Sequence, residues 1–285
     1  MPISRRQFIF GSAVVAAMGG GFSYSRYVES RRLTLEKIRV ELPSSLLSQP
    51  IKILQLTDLH YSSVVTLKFL EKAFDLGMSA SPDFVCFTGD FVTSSDLLKI
   101  DALKPLLLDI GKSIPTFASL GNHDGGSWSA SMGGFSSQDN LTKLLEDSQI
   151  QVLNNSSSIG EVGAQKLRFV GLEDLWSGSP DATAAFSNNT EMEIPTVVLS
   201  HNPDSKDLLL EYKWHLALCG HTHGGQVVIP FLGAPIVPIR DKAFTAGLND
   251  WQGRKIYTSR GVGNLYGLRF NCPPEVSLIE LRPGV

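Results

Sequence analysis

The sequence predicts an α/β fold in which a largely parallel sheet carries a polar site at one edge. Of the 285 residues, 42% are hydrophobic, which is enough to bury one large core. Asp58, Asp90 and Asn122 each follow a short apolar run, and successive members of this series are 32 residues apart. That interval is the length of one strand-helix-strand passage. Because the carboxyl ends of parallel strands meet at one edge, we expect a shared site there.

The predicted elements follow this alternation along the chain. Strands are expected at residues 33–42, 51–57, 83–87, 115–120, 151–153, 167–171, 196–199, 216–219, 226–229, 255–258 and 276–281. Apolar residues at helical spacing predict helices over 67–77, over 95–111 with a break at Pro105, and around 141–145. Residues 154–163 and 177–193 are rich in Ser, Asn, Gly and Pro and are typical of loops. Pro203 and Asp204 suit the first turn of a helix.

Residues 1–32 are predicted to form a targeting segment and a basic linker, and residues 33–285 the folded domain. Arg5 and Arg6 precede a short, glycine-containing apolar stretch, which resembles a bacterial twin-arginine export signal. A short hydrophobic anchor is the alternative. We therefore expect the twin-arginine export machinery as a partner and a periplasmic or membrane-associated location. The cytoplasmic face of the inner membrane is the second location considered.

Charge is distributed unevenly between these two parts. Residues 1–41 hold seven Arg or Lys and three Glu, a net charge of +4. Because the whole chain has a net charge of −3, residues 42–285 carry a net charge of −7. An acidic body argues against nucleic acid as a partner. The basic residues between Arg26 and Arg39 suit contact with an anionic membrane surface, and a solvated linker is the alternative. The three cysteines lack CxxC spacing and are expected to be buried thiols.

Imidazole, carboxylate and amide groups gather at the ends of the predicted strands. His221 and His223 lie two residues apart, so an extended segment can offer both rings to one place. Taken in order, the groups are Asp58, His60, Asp90, Asn122, His123, His201, His221 and His223. Such ligands suit Mn, Fe or Zn rather than Ca or Mg alone. They are too many for one ion, and with one bridging carboxylate they form two sites that leave room for water.

The ordered motifs carry a family resemblance. They are Asp58-Leu59-His60, Gly89-Asp90, Gly121-Asn122-His123-Asp124, Ser200-His201-Asn202 and Gly220-His221-Thr222-His223. This series resembles the calcineurin-like metallophosphoesterases over almost all of residues 50–285. More narrowly, these motifs and the glycine-rich segment 260–269 resemble those of the bacterial YaeI-type phosphodiesterases.

The resemblance implies a four-layer α/β/β/α sandwich with two mixed sheets and a dimetal site at the strand carboxyl ends. Two divalent ions per subunit are implied, with Mn expected and Fe or Zn as alternatives. By the family pattern, Asp58, His60 and His223 hold the first ion. Asn122, His201 and His221 would hold the second, and Asp90 would bridge the two.

This constellation supports the hypothesis that a hydroxide between two metal ions attacks a phosphodiester substrate, which is lipid-linked or soluble. His123 is expected to act as the general acid for the leaving oxygen, with a structural role beside Asn122 as the alternative. Asp124 is expected either to orient the ring of His123 or to accept hydrogen bonds from backbone amides.

Two other functions stay open at this stage. One is a UDP-2,3-diacylglucosamine pyrophosphatase-type hydrolase in lipid A synthesis, which the basic segment favours and export opposes. The other is a non-catalytic metal-binding scaffold, which the intact ligand set opposes.

Residues near the predicted site have two interpretations each. Trp128 and Trp176 either line the mouth of the site or simply pack. A further cluster, consisting of Arg260, Asn264, Tyr266 and Arg269, either binds a phosphate or head group or forms a glycine-rich turn with exposed basic residues.

Overall fold

A computed structural model describes residues 19–93, 97–187 and 193–284, with the backbone alone at 97–99. The export signal predicted around Arg5 and Arg6 lies outside these residues. The strands are β1 (Thr34–Leu42), β2 (Ile51–Leu56), β3 (Phe84–Thr88), β4 (Thr116–Ser119), β5 (Gln151–Val152), β6 (Ser156–Val162), β7 (Gln165–Gly171), β8 (Thr196–Leu199), β9 (Leu216–Cys219), β10 (Gly247–Trp251), β11 (Arg254–Thr258) and β12 (Glu275–Pro283).

Helices connect these strands. Residues 19–27 are helical. Further α-helices span Leu67–Met78, Leu97–Ser113, Ser127–Ser131, Asp139–Asp147 and Ala182–Ala185, and 3₁₀ turns span Glu29–Arg31, Pro203–Leu209, His223–Gly225 and Lys242–Phe244. The turn beginning at Pro203 confirms the predicted helix start, and Asp204 lies in its first turn.

The strands form two six-stranded mixed sheets, in the orders β1-β12-β2-β3-β4-β5 and β10-β11-β9-β8-β7-β6. In the first sheet β2, β3, β4 and β5 run parallel, and β12 pairs antiparallel with β2. In the second sheet β7, β8, β9 and β11 run parallel, while β6 and β10 add antiparallel edges. The central strands of each sheet therefore deliver their carboxyl ends to one edge, as predicted.

The two sheets pack face to face and helices cover their outer faces. Phe84 and Phe117 of the first sheet meet Phe169 of the second, and the rings of Phe117 and Phe169 stack with centroids 4.3 Å apart. The three longer helices after β2, β3 and β4 cover the first sheet. Short helical turns around Ala185 and Leu209 cover the second. The predicted four-layer α/β/β/α sandwich is confirmed, with a thin fourth layer.

The structure contradicts several element predictions, among them the loop over 177–193, which contains the short helix Ala182–Ala185. The segment predicted as a loop over 154–163 contains β6, an edge strand whose Gly160 packs against the ring of Phe84. β10 was missed because an edge strand with alternating exposure needs few apolar residues. The predicted strand 226–229 forms only isolated bridges, because Gln226 has a left-handed backbone with φ 61° that interrupts an extended course.

The helix Leu97–Ser113 continues through Pro105 instead of breaking there. Pro105 has no N–H group to donate to the carbonyl of Asp101, one turn earlier. Because Pro105 lies on the exposed face of the helix, water can satisfy this carbonyl instead. Leu103 and Leu107 on the opposite face are fully buried and hold both halves of the helix to the core.

The described part of the predicted basic linker is docked on the domain. Residues 19–27 are helical, and the buried carboxylate of Glu29 accepts a hydrogen bond of 2.7 Å from the backbone amide of Cys272. β1 then begins at Thr34 and pairs with β12. Within the described residues, no helix combines the length and apolar character needed to cross a membrane.

Candidate metal centre

The predicted ligands leave their strands in an unusual backbone conformation. Asp58, His60, Asp90, His221 and His223 all have φ between 47° and 69°. This left-handed region is disfavoured for residues with a side chain and persists where the surrounding structure enforces it, commonly at functional sites. Here it turns the carboxylates and imidazoles away from the strand ends and toward one space.

Glycines allow the ligand loops to approach each other. A Cβ atom at Gly220 would lie 2.3 Å from Asp58 Oδ2, and one at Gly121 would lie 2.3 Å from Asp90 Oδ1. Neither contact is tolerable, so only glycine fits directly before His221 and Asn122. The glycines of the sequence motifs therefore have a steric cause.

The first ligand cluster consists of Asp58, His60 and His223, which are all buried. His223 Nε2 lies 3.4 Å from Asp58 Oδ1 and 3.0 Å from His60 Nε2. On its far side the ring of His60 contacts the hydroxyl of Thr93, with Nδ1 3.2 Å from Oγ1. Three potential ligand atoms from β2 and β9 thus converge on one point.

The second ligand cluster consists of Asn122, His201 and His221. His221 Nδ1 lies 2.8 Å from Asn122 Oδ1, and the rings of His201 and His221 meet edge to face at 5.0 Å. The outer nitrogens face backbone carbonyls, with His201 Nδ1 2.7 Å from Thr88 O and His221 Nε2 3.2 Å from Pro238 O. Protons held on these outer nitrogens leave the inner nitrogens free as ligands.

Asp90 lies between the two clusters. Its Oδ2 atom is 3.4 Å from His60 Nε2 and 3.2 Å from His201 Nε2. His221 Nε2 carries the proton that is donated to the Pro238 carbonyl, so His221 Nδ1 has a free lone pair. This lone pair and the Asn122 Oδ1 atom are two acceptors that face the same space. Buried carboxylates and converging lone pairs are the donor set that divalent transition metals take. The residues therefore fit two divalent ions.

Burial favours the uncharged form of most of these groups in the ion-free protein. Removal from water lowers the pKa of His60 and of His221 to about 3 and raises the pKa of Asp58 to about 7. For His201, burial acts in the same direction as for His60, but the adjacent carboxylate of Asp90 outweighs it and raises the pKa. In the ion-free protein His201 and Asp90 are thus a buried ion pair.

His123 stands at the edge of the first cluster. Its ring lies edge to face against His60 at 4.9 Å, and its backbone amide donates to Asp90 Oδ1 at 2.9 Å. A ring nitrogen of His123 lies within 4.8 Å of ligand atoms of His60 and Asp90. Its half-buried position lets the ring face a bound substrate, and a ligand role is the geometric alternative.

Trp128 and Trp176 line the mouth of the site. The ring of Trp128 packs on His123 at 4.8 Å and on Trp176 at 5.5 Å, and Trp176 meets His221 at 4.5 Å. Of the two interpretations, the structure confirms that these side chains border the metal centre. They connect its two clusters across an aromatic rim.

Asp124 holds loops rather than the ring of His123. Its carboxylate accepts hydrogen bonds of 2.7–2.8 Å from the backbone amides of Asp90, Phe91 and Gly121. Among the described residues it makes no hydrogen bond to the ring of His123. Burial, aided by Asp90, raises the pKa of Asp124 to about 7, while the amide donors act in the opposite direction. The contacts match the backbone alternative, which makes Asp124 a positioning residue.

Asp124→Asn is therefore expected to destabilise the fold. The new NH₂ group faces amide donors, so at least one charge-assisted hydrogen bond worth about 1.5–3 kcal/mol is lost. For a domain of this size we expect a fall in melting temperature of roughly 5–10 °C, measured by calorimetry on the ion-free protein. Asp109→Asn, at an exposed carboxylate, is the matched control. Equal melting temperatures for both variants would contradict the positioning role.

The basic cluster near the C-terminus has a structural role that neither sequence interpretation described. Arg269 is fully buried, and Nη2 donates to the carbonyls of Arg260 and Gly261 at 2.7 and 3.0 Å. Arg260 itself forms ion pairs with Glu36 and Glu275 at 2.6 and 2.5 Å. Both guanidinium groups therefore already have partners within the protein. The side chains of Asn264 and Tyr266 remain available to contact a ligand.

The two sheets and the clustered Asp, Asn and His side chains at their edges form a site with the ligand set of a divalent metal centre. The sequence profile of the family described as calcineurin-like phosphoesterase matches residues 51–225, and this chain belongs to that family. It is accordingly a metal-dependent hydrolase of phosphoester bonds.

Curated relatives match nearly the whole chain. The "Phosphodiesterase YaeI" of Escherichia coli K12 is 39% identical over 279 residues, which are 98% of this chain and 99% of the relative. An uncharacterized metallophosphoesterase of Bacillus subtilis, YkuE, is 30% identical and covers 98% of each chain. The "UDP-2,3-diacylglucosamine pyrophosphatase LpxG" of Chlamydia muridarum is 26% identical, over 94% of this chain and 95% of its own.

Proposed function

We propose that this protein is a phosphodiesterase with two manganese ions. In this proposal Asp58, His60 and His223 would hold one ion, Asn122, His201 and His221 would hold the other, and Asp90 would contribute to both. The observation that carries the proposal is the position of Asp90 Oδ2, 3.4 and 3.2 Å from imidazole nitrogens of the two clusters. The E. coli relative named as a phosphodiesterase supports the diester as substrate class.

Bound divalent ions would supply an activated water near neutral pH and positive charge for the phosphate oxygens. The chain's own residues supply orientation and a proton. Thr88 and Pro238 hold the rings of His201 and His221 through their carbonyls, and Asp124 holds the loops of Asp90 and Gly121. His123, beside Trp128 at the rim, would give its proton to the departing alkoxide.

The test compares metals and substrate classes on one preparation. Protein stripped with a chelator should be inactive and should recover turnover with Mn²⁺, with Fe²⁺ and Zn²⁺ as comparisons. An artificial aryl diester should be cleaved faster than the matching aryl monoester. A preference for the monoester would overturn the substrate class, and recovery with Zn²⁺ alone would overturn the choice of metal.

Metal binding by the ion-free protein should release protons. At pH 7 His201 is charged and Asp58 is about half protonated, because their pKa values are raised well above 6.5 and to about 7, respectively. Ions compete with these protons, so apparent affinity should rise as pH increases from 6 to 8. Calorimetric titration in two buffers of different ionisation enthalpy measures the protons released. A pH-independent affinity would contradict the pairing of His201 with Asp90.

A pyrophosphatase for a nucleotide-linked acylated sugar is the second candidate. One observation favours it besides the LpxG relative: the loop from Ile229 to Ile239 joins the site through the Pro238 carbonyl and exposes Phe231, Leu232 and Ile236. These side chains suit acyl chains. Release of a nucleoside monophosphate from UDP-2,3-diacylglucosamine, in preference to cleavage of a simple diester, would favour this candidate.

We further propose export by the twin-arginine route to the periplasm or its membrane face. The support is Arg5-Arg6 followed by a glycine-containing apolar stretch. Arg5→Lys/Arg6→Lys is expected to shift the protein from the periplasmic or membrane fraction to the cytoplasm, because the transporter reads the arginine pair. Fractionation with antibody detection measures this, with Arg31→Lys/Arg32→Lys as the matched control. An unchanged location would overturn the proposed route.

A further inference from the structure

An open cleft of about 430 Å³ lies between the N-terminal helical segment and the helix Leu67–Met78. Four cationic side chains line it: Arg26, Arg31, Lys68 and Lys72. No acidic residue is among the lining residues, and within the described part of the chain none of the four forms an ion pair. The cleft is therefore a concentrated positive site on a domain that is otherwise acidic.

The start of the helix Leu67–Met78 adds to this positive field. Thr66, which precedes the helix and lines the cleft, makes no side-chain cap, and the first turn contains no acidic residue. The positive end of the helix dipole lies beside Lys68 at this end of the cleft. This arrangement binds phosphate groups in many proteins.

A buried polar side chain also points into the cleft. Asn264 is 4% exposed and lines the cleft, and its Oδ1 atom has no hydrogen-bond partner among the described residues. A buried amide without a partner costs free energy unless a ligand or water satisfies it. An amide oxygen accepts hydrogen bonds, so a hydroxyl group of a lipid headgroup, rather than its phosphate, would satisfy Asn264 Oδ1.

Exposed aromatic residues are neighbours of residues that line the cleft. Phe22 lies one helical turn before Arg26, and Tyr27 follows it, with exposed fractions of 59% and 60%. The backbone carbonyl of Tyr266, whose side chain is 73% exposed, accepts a hydrogen bond from Arg26 Nη1 at 3.3 Å. Aromatic side chains beside basic groups are typical of surfaces that lie at the membrane interface.

We propose that this cleft binds the phosphate of anionic lipid headgroups, so that the exposed aromatic residues enter the interface of the bilayer. Charge complementarity selects an anionic surface, and the aromatic border selects a lipid over a free phosphate. This inference rests on the proposed membrane location but does not depend on the diester reaction. It gives the enzyme a fixed contact with the membrane beside the loop that carries His60.

Vesicle flotation of the full-length, ion-free protein tests the cleft without turnover. The wild type should prefer phosphatidylglycerol vesicles to phosphatidylcholine vesicles. Lys68→Gln/Lys72→Gln should weaken partitioning to the anionic vesicles on the order of tenfold, because each basic residue at such a surface contributes to binding. Lys112→Gln/Lys213→Gln removes the same charge from exposed lysines elsewhere and should keep the preference.

Three results would overturn the proposal. One is an equal loss in both double variants, which would mean that net charge alone drives binding. Another is saturation of the cleft by inorganic phosphate as readily as by dihexanoyl phosphatidylglycerol, with no effect of Tyr27→Ser/Tyr266→Ser on flotation. That outcome would identify a free phosphate as the ligand. Self-association of the wild type, lost in Tyr27→Ser/Tyr266→Ser while vesicle binding is absent, would identify a second copy of the chain instead.

Discussion

Asp90→Asn is expected to empty both metal positions together and to lower phosphodiester turnover by at least about 1,000-fold. Among the residues that the structure describes, Asp90 Oδ2 is the one carboxylate oxygen within 3.4 Å of imidazole nitrogens from both clusters. An amide cannot carry the negative charge that two neighbouring cations need between them. Elemental analysis of the purified variant, beside turnover of an aryl diester, measures both effects.

Single histidine variants supply the contrast for Asp90→Asn. His223→Ala removes a nitrogen from the first cluster, and His221→Ala removes one from the second. Each is expected to lose about one ion of two, whereas Asp90→Asn loses both. Loss of a single ion from Asp90→Asn, with normal circular dichroism, would remove the bridging role. Asp109→Asn controls for the loss of an acidic side chain.

The site could be predicted from the sequence because each ligand follows directly after a strand. Asp58, Asp90 and Asn122 lie beyond β2, β3 and β4, which run parallel in adjacent positions, so the equal spacing translated into proximity. His201 and His221 follow β8 and β9 in the second sheet. The candidate ligands of the two sheets meet because the sheets pack face to face. The family resemblance implied this packing, whereas the spacing of the motifs along the sequence did not.

The parts that could not be predicted depend on contacts distant in sequence. The exposed edge strands β6 and β10 lack apolar alternation, because only one of their faces packs and their hydrogen bonds come from a neighbouring strand. Arg269 looks like a surface cation in the sequence, yet it is fully buried against backbone carbonyls. Backbone acceptors such as Thr88 O carry no sequence signal, so the carbonyl that orients His201 was not foreseeable.

His123→Ala is expected to retain both ions while turnover of an alkyl phosphodiester falls about 100- to 10,000-fold. The imidazole lies at the edge of the first cluster against Trp128, and its backbone amide donates a hydrogen bond to Asp90. An alkoxide is a poor leaving group and needs a proton, whereas an activated aryloxide leaves with little assistance. The loss should therefore be much smaller for an aryl diester.

The two substrates separate general acid catalysis from metal ligation. A ring nitrogen of His123 lies within 4.8 Å of ligand atoms of His60 and Asp90, so a third ligand position is the competing role. A ligand variant would lose an ion and would slow both diesters equally, because a bound ion would assist both substrates whatever their leaving group. An acid variant keeps its ions and slows the alkyl ester selectively. Elemental analysis measures whether the ions are retained, and the ratio of the two rates measures whether the alkyl ester is slowed selectively. These two independent measurements decide between the acid role and the ligand role of His123.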